Sequence, residues 1–481
     1  MAANTVLDNS HITALTALIS SSVQEVIATY ASVGRAVPSL DSAEPGPFDE
    51  IVEDTPERLV RAVKTIEAAC AQLVSTVGNP SGIIYDRANT HAEPSCLLVA
   101  LNARIADLLV DKPEGASVIE LAEASGFKDA DKLGRVMRLL ATRHVFREGQ
   151  LQCVIYGHFE ILARTTVKPN IYANNRLSVR LISTNSVSDL VGLVTEAGLL
   201  ASSHLNETYT TEPRVPNETP FQRATGHAFF DWHRLPENNA KVEVCRILFE
   251  VFGLSERGAQ RFDRAMVAWS HVYGMGFLSK AYPWSTYVLG CTICDIGGGN
   301  GHVMMDLSKK NPHFKVVLQD QPGVIVRAKE YWTKEYPCAI NEKRVEFVPF
   351  DFFKDAAAEG CDIYYLKGIL HDWIDADCSK ILGNVRKAMK PGAKLLIQEI
   401  VIRSIARPHN TQLGGLAPEP LLPNWGASAA RSYEEDIAMM RLHNAKERTL
   451  EEFISLCEPC GLRFNKSYPA GDMDLVEFVT V

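Results

Sequence analysis

The sequence predicts an α/β protein: a Rossmann-like, doubly wound parallel sheet in the C-terminal part, preceded by a mainly helical portion. Three observations predict it. Residues 291–301, CTICDIGGGNG, form an apolar strand ending in Asp295 and then a glycine loop that opens a helix. Further apolar strands recur after it, at 315–320, 345–351, 361–367 and 394–402, separated by helical stretches, which is the alternation that builds a parallel sheet. Before residue 141, apolar residues recur mostly at helical spacing.

In chain order, Ile12 to Tyr30 and Pro56 to Val77 are expected as two helices joined by a Pro-, Gly- and acid-rich connector from Pro38 to Asp54. Such an arm packs on a partner subunit or on the domain that follows. Glu93 to Leu109 reads as one helix, and Ser117 to Gly126 with Asp129 to Ala141 as two more joined by a glycine turn. Val145 to Ile155 offers two short strands around Glu148, Gly149 and Gln150, completing the pattern of a winged helix. Lys128, Lys132, Arg135 and Arg138 are interleaved with Asp129 and Asp131, which does not make a basic DNA-reading face. Ser203 to Pro220, polar with repeated Thr and Pro, is the expected linker. The division is an arm (1–80), a winged-helix-like unit (81–205) and a catalytic domain (206–481).

The 481 residues, 46% of them hydrophobic, suffice for two or three domains with sizeable cores. A net charge of −9 disfavours nucleic acid as a partner. No apolar run is expected to reach the roughly 18 residues of a membrane span, and no secretion signal is evident, so the chain is expected in the cytoplasm. Eleven cysteines, an odd count without framework spacing, read as reduced thiols. Cys291/Cys294 and Cys457/Cys460 have C-x-x-C spacing, but the first pair falls in a buried strand and the second in a helix. No metal is expected.

The loop carries the cofactor reading. Gly297, Gly299 and Gly301 are spaced G-x-G-x-G, with His302 where a dinucleotide fingerprint has its third glycine, which argues against NAD. Asp295 ahead of the loop would repel a pyrophosphate and suits a positively charged amino-acid portion; S-adenosylmethionine is such a ligand. Asp320, roughly 20 residues on, is placed to accept ribose hydroxyls. Asp351 with Phe352 is suited to the adenine amino group and ring.

The motifs DIGGGNGH, VVLQD, LKGILHDW, LLIQEIVI and NAKERTLEEF follow in the order seen in class I S-adenosylmethionine-dependent O-methyltransferases. The chain resembles the caffeic acid and flavonoid branch of that family, and most of all its fungal secondary-metabolite members, from about residue 85 to the end. The resemblance implies a seven-stranded sheet completed by an antiparallel pair from 462 to 481, a homodimer held by the winged-helix-like unit, and methylation of a hydroxyl on an aromatic small molecule. It makes His371 the general base, supported by Asp372, Glu399 and Glu447, and Lys367 a cofactor contact. It assigns acceptor contacts to Phe230, Trp232, Met266, Trp269 and Trp373, and, to within one position, to Met439, Met440, His443 and Asn444. Trp269 stands where a histidine is common, widening the aromatic wall.

A histidine with an ordinary pKa near 6.5 is mostly neutral at cytosolic pH and free to take a proton, but a phenol titrates near 10. Carboxylates must therefore stabilise the imidazolium. Two other classes of function remain in view: a methyltransferase-like scaffold repurposed for dehydration or pericyclic chemistry, disfavoured by retention of His371, Glu399 and Glu447, and a non-catalytic winged-helix regulator, disfavoured by acidity and the intact loop. The Pro-, Gly- and Ala-rich stretch from Arg403 to Tyr433, containing Trp425, is longer than in the plant enzymes, as a lid or an insertion.

Overall fold

The computed structural model describes residues 9–49, 55–156, 159–165, 170–232, 258–274, 277–287, 289–406 and 416–481. Expectations touching residues 50–54, His233, Gly276 and 407–415 lie outside the described residues.

The sheet has seven strands: β1 (Thr292–Ile296), β2 (Lys315–Asp320), β3 (Val345–Pro349), β4 (Ile363–Lys367), β5 (Lys394–Glu399), β6 (Leu462–Ala470) and β7 (Met473–Thr480). Their order is β6-β7-β5-β4-β1-β2-β3. β1 to β5 pair in parallel; β7 runs antiparallel to β5 and β6 antiparallel to β7. Ile293, Cys294, Ile296, Tyr364, Tyr365 and Leu396 are buried because helices cover both faces. On one face, helices 375–388 and 450–457 pack through Ile381, Val385 and Phe453; on the other, helices 302–310 and 322–335 pack through Met304, Ala328 and Trp332. The strand order reverses between β1 and β4, which opens a crevice at their carboxyl ends.

Helices α1 (Ser10–Ser32) and α2 (Glu57–Val77) pack on each other and, through Leu15, Ala68 and Ala69, on Ala417, Leu421 and Trp425 of the catalytic domain. Within the chain the apolar side of the arm packs on the catalytic domain rather than on the unit that directly follows it. By length and composition alone α1 could cross a membrane, which corrects the expectation that no apolar run is long enough. Its buried residues, including Leu15 and Tyr30, belong to its packed side.

The helix expected from Glu93 to Leu109 is two, Ala92–Asn102 and Ile105–Leu108, because Arg104 between them takes φ 53°. Helix Val118–Ser125 begins at a capping box formed by Ser117 and Glu120 and ends at Gly126, φ 72°, before helix Ala130–Thr142. Three short strands lie beside this pair, with Ile171–Ala173 between Ala116–Ser117 and Arg147–Glu148; a hairpin pairs Gln150–Tyr156 with Phe159–Thr165. The central strand of that small sheet was not anticipated from sequence.

The first half of the expected linker is helix. Helix α3 runs from Ser186 to Thr210, and Thr208 and Thr210 return their hydroxyl hydrogens to the carbonyls four residues back, so the polar residues sit within helical geometry. Only Thr211 to Thr219 is irregular. Helix α4 (Gly258–Val272) packs against α3.

Candidate functional site

A cleft of about 2040 Å³ opens at the carboxyl ends of β1 and β4. Asp295, Gly297, Gly299, Asp320, Phe352 and Lys367 line it. Asp320 holds the loop: its carboxylate accepts the N–H of Gly299 at 2.9 Å and that of Gln321 at 2.7 Å. A Cβ built on Gly299 would meet nothing within 4 Å, so the peptide faces open space, whereas one on Gly297 would lie 2.5 Å from Ile369 Cδ1. Burial, reinforced by Asp320 and opposed by Lys367, raises the Asp295 carboxyl to about 7.

Two of the expected cofactor contacts do not line the cleft. Asp351 is not on the cleft: its Oδ1 accepts the Phe353 N–H at 3.0 Å and its Oδ2 pairs with Lys354 at 2.7 Å. Gly301 is not on it either. It begins helix 302–310 with φ 74°, and a Cβ there would sit 2.7 Å from Trp332 Nε1, so its smallness serves helix packing.

Lys367 heads a chain the sequence reading did not find. Its Nζ donates to Ser270 Oγ at 2.9 Å and lies 4.5 Å from the centre of the Trp269 ring. His302 Nε2 stands 2.9 Å from the same hydroxyl, and its Nδ1 is 2.7 Å from Asn300 Oδ1. Burial and the Lys367 charge push His302 down to about 3, so it stays neutral and accepts from Ser270. Burial also lowers Lys367 to about 8, against the pull of Glu399 and Asp295. His302 in place of the third fingerprint glycine was the one available signal.

His371 lies on a 3₁₀ turn, Leu370–Asp372, just past β4. Its Nδ1 is 2.7 Å from Glu447 Oε1 and 3.8 Å from Glu399 Oε2; its Nε2 is 3.7 Å from Asp372 Oδ1. Glu399 fixes the turn, accepting the Ile369 and Leu370 N–H groups at 2.9 and 2.8 Å. Burial disfavours a charged ring, but Glu447, Glu399 and Asp372 outweigh it and hold His371 well above its ordinary value. Those carboxylates make the ring a stronger base than an isolated imidazole, which is the support a phenolic acceptor requires. Burial raises Glu447 to about 7 despite His371, and Asp372 likewise to about 7.

His371, Glu399 and Glu447 bring ligand atoms within 4.8 Å of one another, a cluster a cation could use. The 2.7 Å from Nδ1 to Oε1 is a hydrogen bond. It is shorter than the roughly 3.4 Å between two donors around a tetrahedral ion with bonds of about 2.1 Å.

Arg448, also missed from sequence, clamps the turn from behind. It donates to Leu370 O at 2.7 Å and to Trp373 O and Asp375 at 2.8 Å. Its neighbour Glu447 is held through its N–H by Asp436 at 2.9 Å, and the pair is tied to the end of β5 by the bond from Ile402 N to Arg448 O.

The far half of the cleft is aromatic. Phe230 stacks on Trp373, centroids 6.2 Å apart, and lies 4.9 Å from the His443 ring. Met266, Trp269, Met439 and Asn444 also line it, with Trp269 5.9 Å from the His371 ring. His443 Nε2 reaches Asp372 Oδ1 at 3.4 Å. Trp232 does not line the cleft: it packs edge-on against Phe221 at 5.5 Å, behind the wall. Met440 does not line it either. It follows Met439 on helix α5 (Ala430–His443), is turned off the cleft, and offers its carbonyl to Tyr209. Glu435, on the same helix, is a lining carboxylate the sequence did not flag, raised by burial and 3.5 Å from the Tyr273 hydroxyl.

These residues fit S-adenosylmethionine. The Gly299 cradle leaves room against the backbone, Asp295 and Lys367 offer opposite charges to an amino-acid portion, and the Asp320 carboxylate and Phe352 line the same cleft.

Residues 215–463 match the O-methyltransferase domain family, and residues 85–184 the O-methyltransferase dimerisation domain. The 3-O-methyltransferase 2 of Phanerochaete chrysosporium is 42% identical, over 98% of this chain and 97% of its own length. The solved mitomycin 7-O-methyltransferase is 26% identical with a TM-score of 0.61, covering 84% of this chain and 98% of that one. Human N-acetylserotonin methyltransferase, solved with S-adenosylmethionine, shares the fold at a TM-score of 0.59 and 19% identity, covering 84% of this chain and 99% of that one. With the cofactor cradle and the paired histidine in one crevice, the chain belongs to the S-adenosylmethionine-dependent O-methyltransferases.

Proposed function

We propose that the acceptor is a phenolic or enolic hydroxyl of an aromatic, polyketide-like small molecule, and that His371 is the general base. The observation that carries this reading is the 2.7 Å pairing of His371 Nδ1 with Glu447 in a cleft walled by rings. With Nδ1 committed, Nε2 is the nitrogen left to take the acceptor's proton as its oxygen attacks. When bound, S-adenosylmethionine supplies an electrophilic methyl group. The chain's own residues hold the two reactants in line, exclude water and stabilise the imidazolium through Glu447, Glu399 and Asp372. Both O-methyltransferase relatives are named for a numbered oxygen, which supports a regiospecific acceptor.

The working unit is a homodimer in the cytosol, divided into arm (1–80), winged-helix-like dimerisation unit (81–205) and catalytic domain (206–481), with the second boundary inside α3. The matched dimerisation domain supports the dimer. The free cysteines among the described residues support a reducing compartment. The negative net charge and the packing of α1 support a partner list without nucleic acid or membrane.

Incubation with methyl-labelled S-adenosylmethionine and a panel of phenols is expected to give labelled product and S-adenosylhomocysteine. Transfer to none of them, or turnover that persists with S-adenosylhomocysteine as the only cofactor, would overturn the reading.

A further inference from the structure

Residues 416–429 have two sides. Leu422, Asn424, Gly426 and Ala427 line the cleft, while Ala417, Leu421 and Trp425 pack on Leu15, Ala68 and Ala69 of the arm. Polar contacts fix the same junction. Gln72 Nε2 donates to Pro420 O at 2.9 Å, and Ser428 Oγ donates to Glu67 Oε2 at 3.0 Å. The Lys64 ammonium lies 5.7 Å from the Trp425 ring centre and 3.5 Å from Asp472, which Arg431 holds from the other side at 3.0 Å. Arg431 itself lines the cleft.

The segment's own bonds are local turns, Ala417 N–H to Pro423 O at 3.0 Å and Trp425 N–H to Leu422 O at 2.9 Å, ending in a 3₁₀ turn at Gly426–Ala429, so its seat on the rest of the molecule is set by its neighbours. Here Trp425 adopts φ 71°, a left-handed conformation unfavourable for a side chain of that size, and persists in it because its surroundings determine it. Those surroundings include α1 and α2, through Leu15, Ala68, Ala69 and the Lys64 ammonium. The cleft-facing residues of the segment are therefore positioned by helices that do not themselves line the cleft among the described residues.

We propose that the N-terminal arm is a specificity element: through Lys64, Glu67 and Gln72 it holds residues 416–429 as the outer wall of the acceptor half of the cleft. Acceptor recognition depends on these contacts, whereas cofactor binding and the chemistry at His371 do not. The wall presents apolar Leu422 and Ala427 to the acceptor, with the Asn424 amide already committed to Tyr433 at 2.8 Å, so it selects by shape and apolar contact more than by hydrogen bonding. This rests on the reading that an aromatic acceptor occupies that half.

The test uses the full chain and an acceptor found active in the phenol panel. Gln72→Ala combined with Ser428→Ala is expected to raise the acceptor KM at least fivefold, with kcat and the Kd for S-adenosylmethionine each within twofold of wild type. Ser428→Thr, which keeps the hydroxyl, is expected to restore the acceptor KM in the Gln72 background to that of Gln72→Ala alone. An unchanged acceptor KM accompanied only by a lower melting temperature would overturn the proposal, as would an equal weakening of cofactor binding. Should the double variant not fold, Gln72→Ala alone carries the same comparison. Failure of the functional reading would appear in the wild type, as no methylated phenol, and is thus distinct.

Discussion

At His371 the two ring nitrogens have separate tasks, and the proton balance follows from that division. Transfer from a phenol near 10 to an ordinary imidazole near 6.5 is uphill by about 5 kcal/mol, and every unit by which the carboxylates raise the ring removes about 1.4 kcal/mol of it. His371→Ala is expected to lower turnover by roughly 10²- to 10⁴-fold. Cofactor affinity should hold, and higher pH should partly rescue the variant because the phenol then ionises unaided. Isothermal titration beside a rate assay checks both. The pH profile tests the cause. His371 must be unprotonated to act, and Glu447 favours its protonated form, so the wild-type kcat/KM should rise with pH to a midpoint above 6.5. Glu447→Gln should move that midpoint down and lower the plateau, since a less basic ring accepts the proton less readily. A midpoint that stays put would show that the pairing does not set the basicity. Gly299→Val belongs to the same scale: φ 60° strains a branched residue and its side chain enters the cleft, so calorimetry should show at least tenfold weaker cofactor binding.

Much of this site was legible in the residues, and the misses share a cause. Asp295 and Asp320 follow from strand ends at one sheet edge, which are visible in sequence, while Lys367 and the role of His371 came from the family resemblance. Asp351, Trp232 and Met440 failed on direction. Adjacent helical positions such as Met439 and Met440 point about 100° apart, so a one-residue ambiguity decides which of them meets the cleft. Arg448 and Ser270 act through hydrogen bonds to segments far along the chain, and no local pattern announces those.

Helix starts do much of the positioning among the elements. Helix α6 (Leu450–Cys457) begins at a reciprocal cap: Thr449 Oγ1 accepts the Glu452 N–H at 3.2 Å, and Glu452 accepts the Thr449 N–H at 2.9 Å. That cap follows Glu447 and Arg448 directly, so it sets where the base's partner and the clamp stand. Thr449→Ala should cost about 0.5–2 kcal/mol of stability. It should also lower kcat more than cofactor affinity, as scanning calorimetry and kinetics on one preparation would reveal; a stability loss with unchanged kcat would confine the cap to a structural role. This box was visible as Thr-x-x-Glu. The first half of the expected linker is helical for a related reason: threonines signal a turn when their hydroxyls bind locally forward, and in α3 they bind backward within the helix.

At the scale of the molecule, the sheet order was foreseeable from strand alternation and family pattern, but the seat of the arm was not. Its contacts join residues 348 and 361 positions apart, and nothing periodic connects them. The proposed homodimer has its own test here. Ile84, Tyr85, Val110 and Ile119, in or beside the dimerisation domain, are exposed in the single chain. Light scattering at low micromolar concentration should therefore give twice the chain mass, and a stable, active monomer would refute it.

The same long separation has a consequence during synthesis. The hairpin of α1 and α2 leaves the ribosome well before Ala417, Leu421 and Trp425, which cover its apolar side and lie more than 300 residues further along the chain. At about 5–20 residues per second, Leu15, Ala68 and Ala69 wait on the order of tens of seconds for their partners. For that interval the nascent chain presents an unfinished apolar surface to whatever else is in the cell, and the arm reaches its final place only when the catalytic domain is nearly complete.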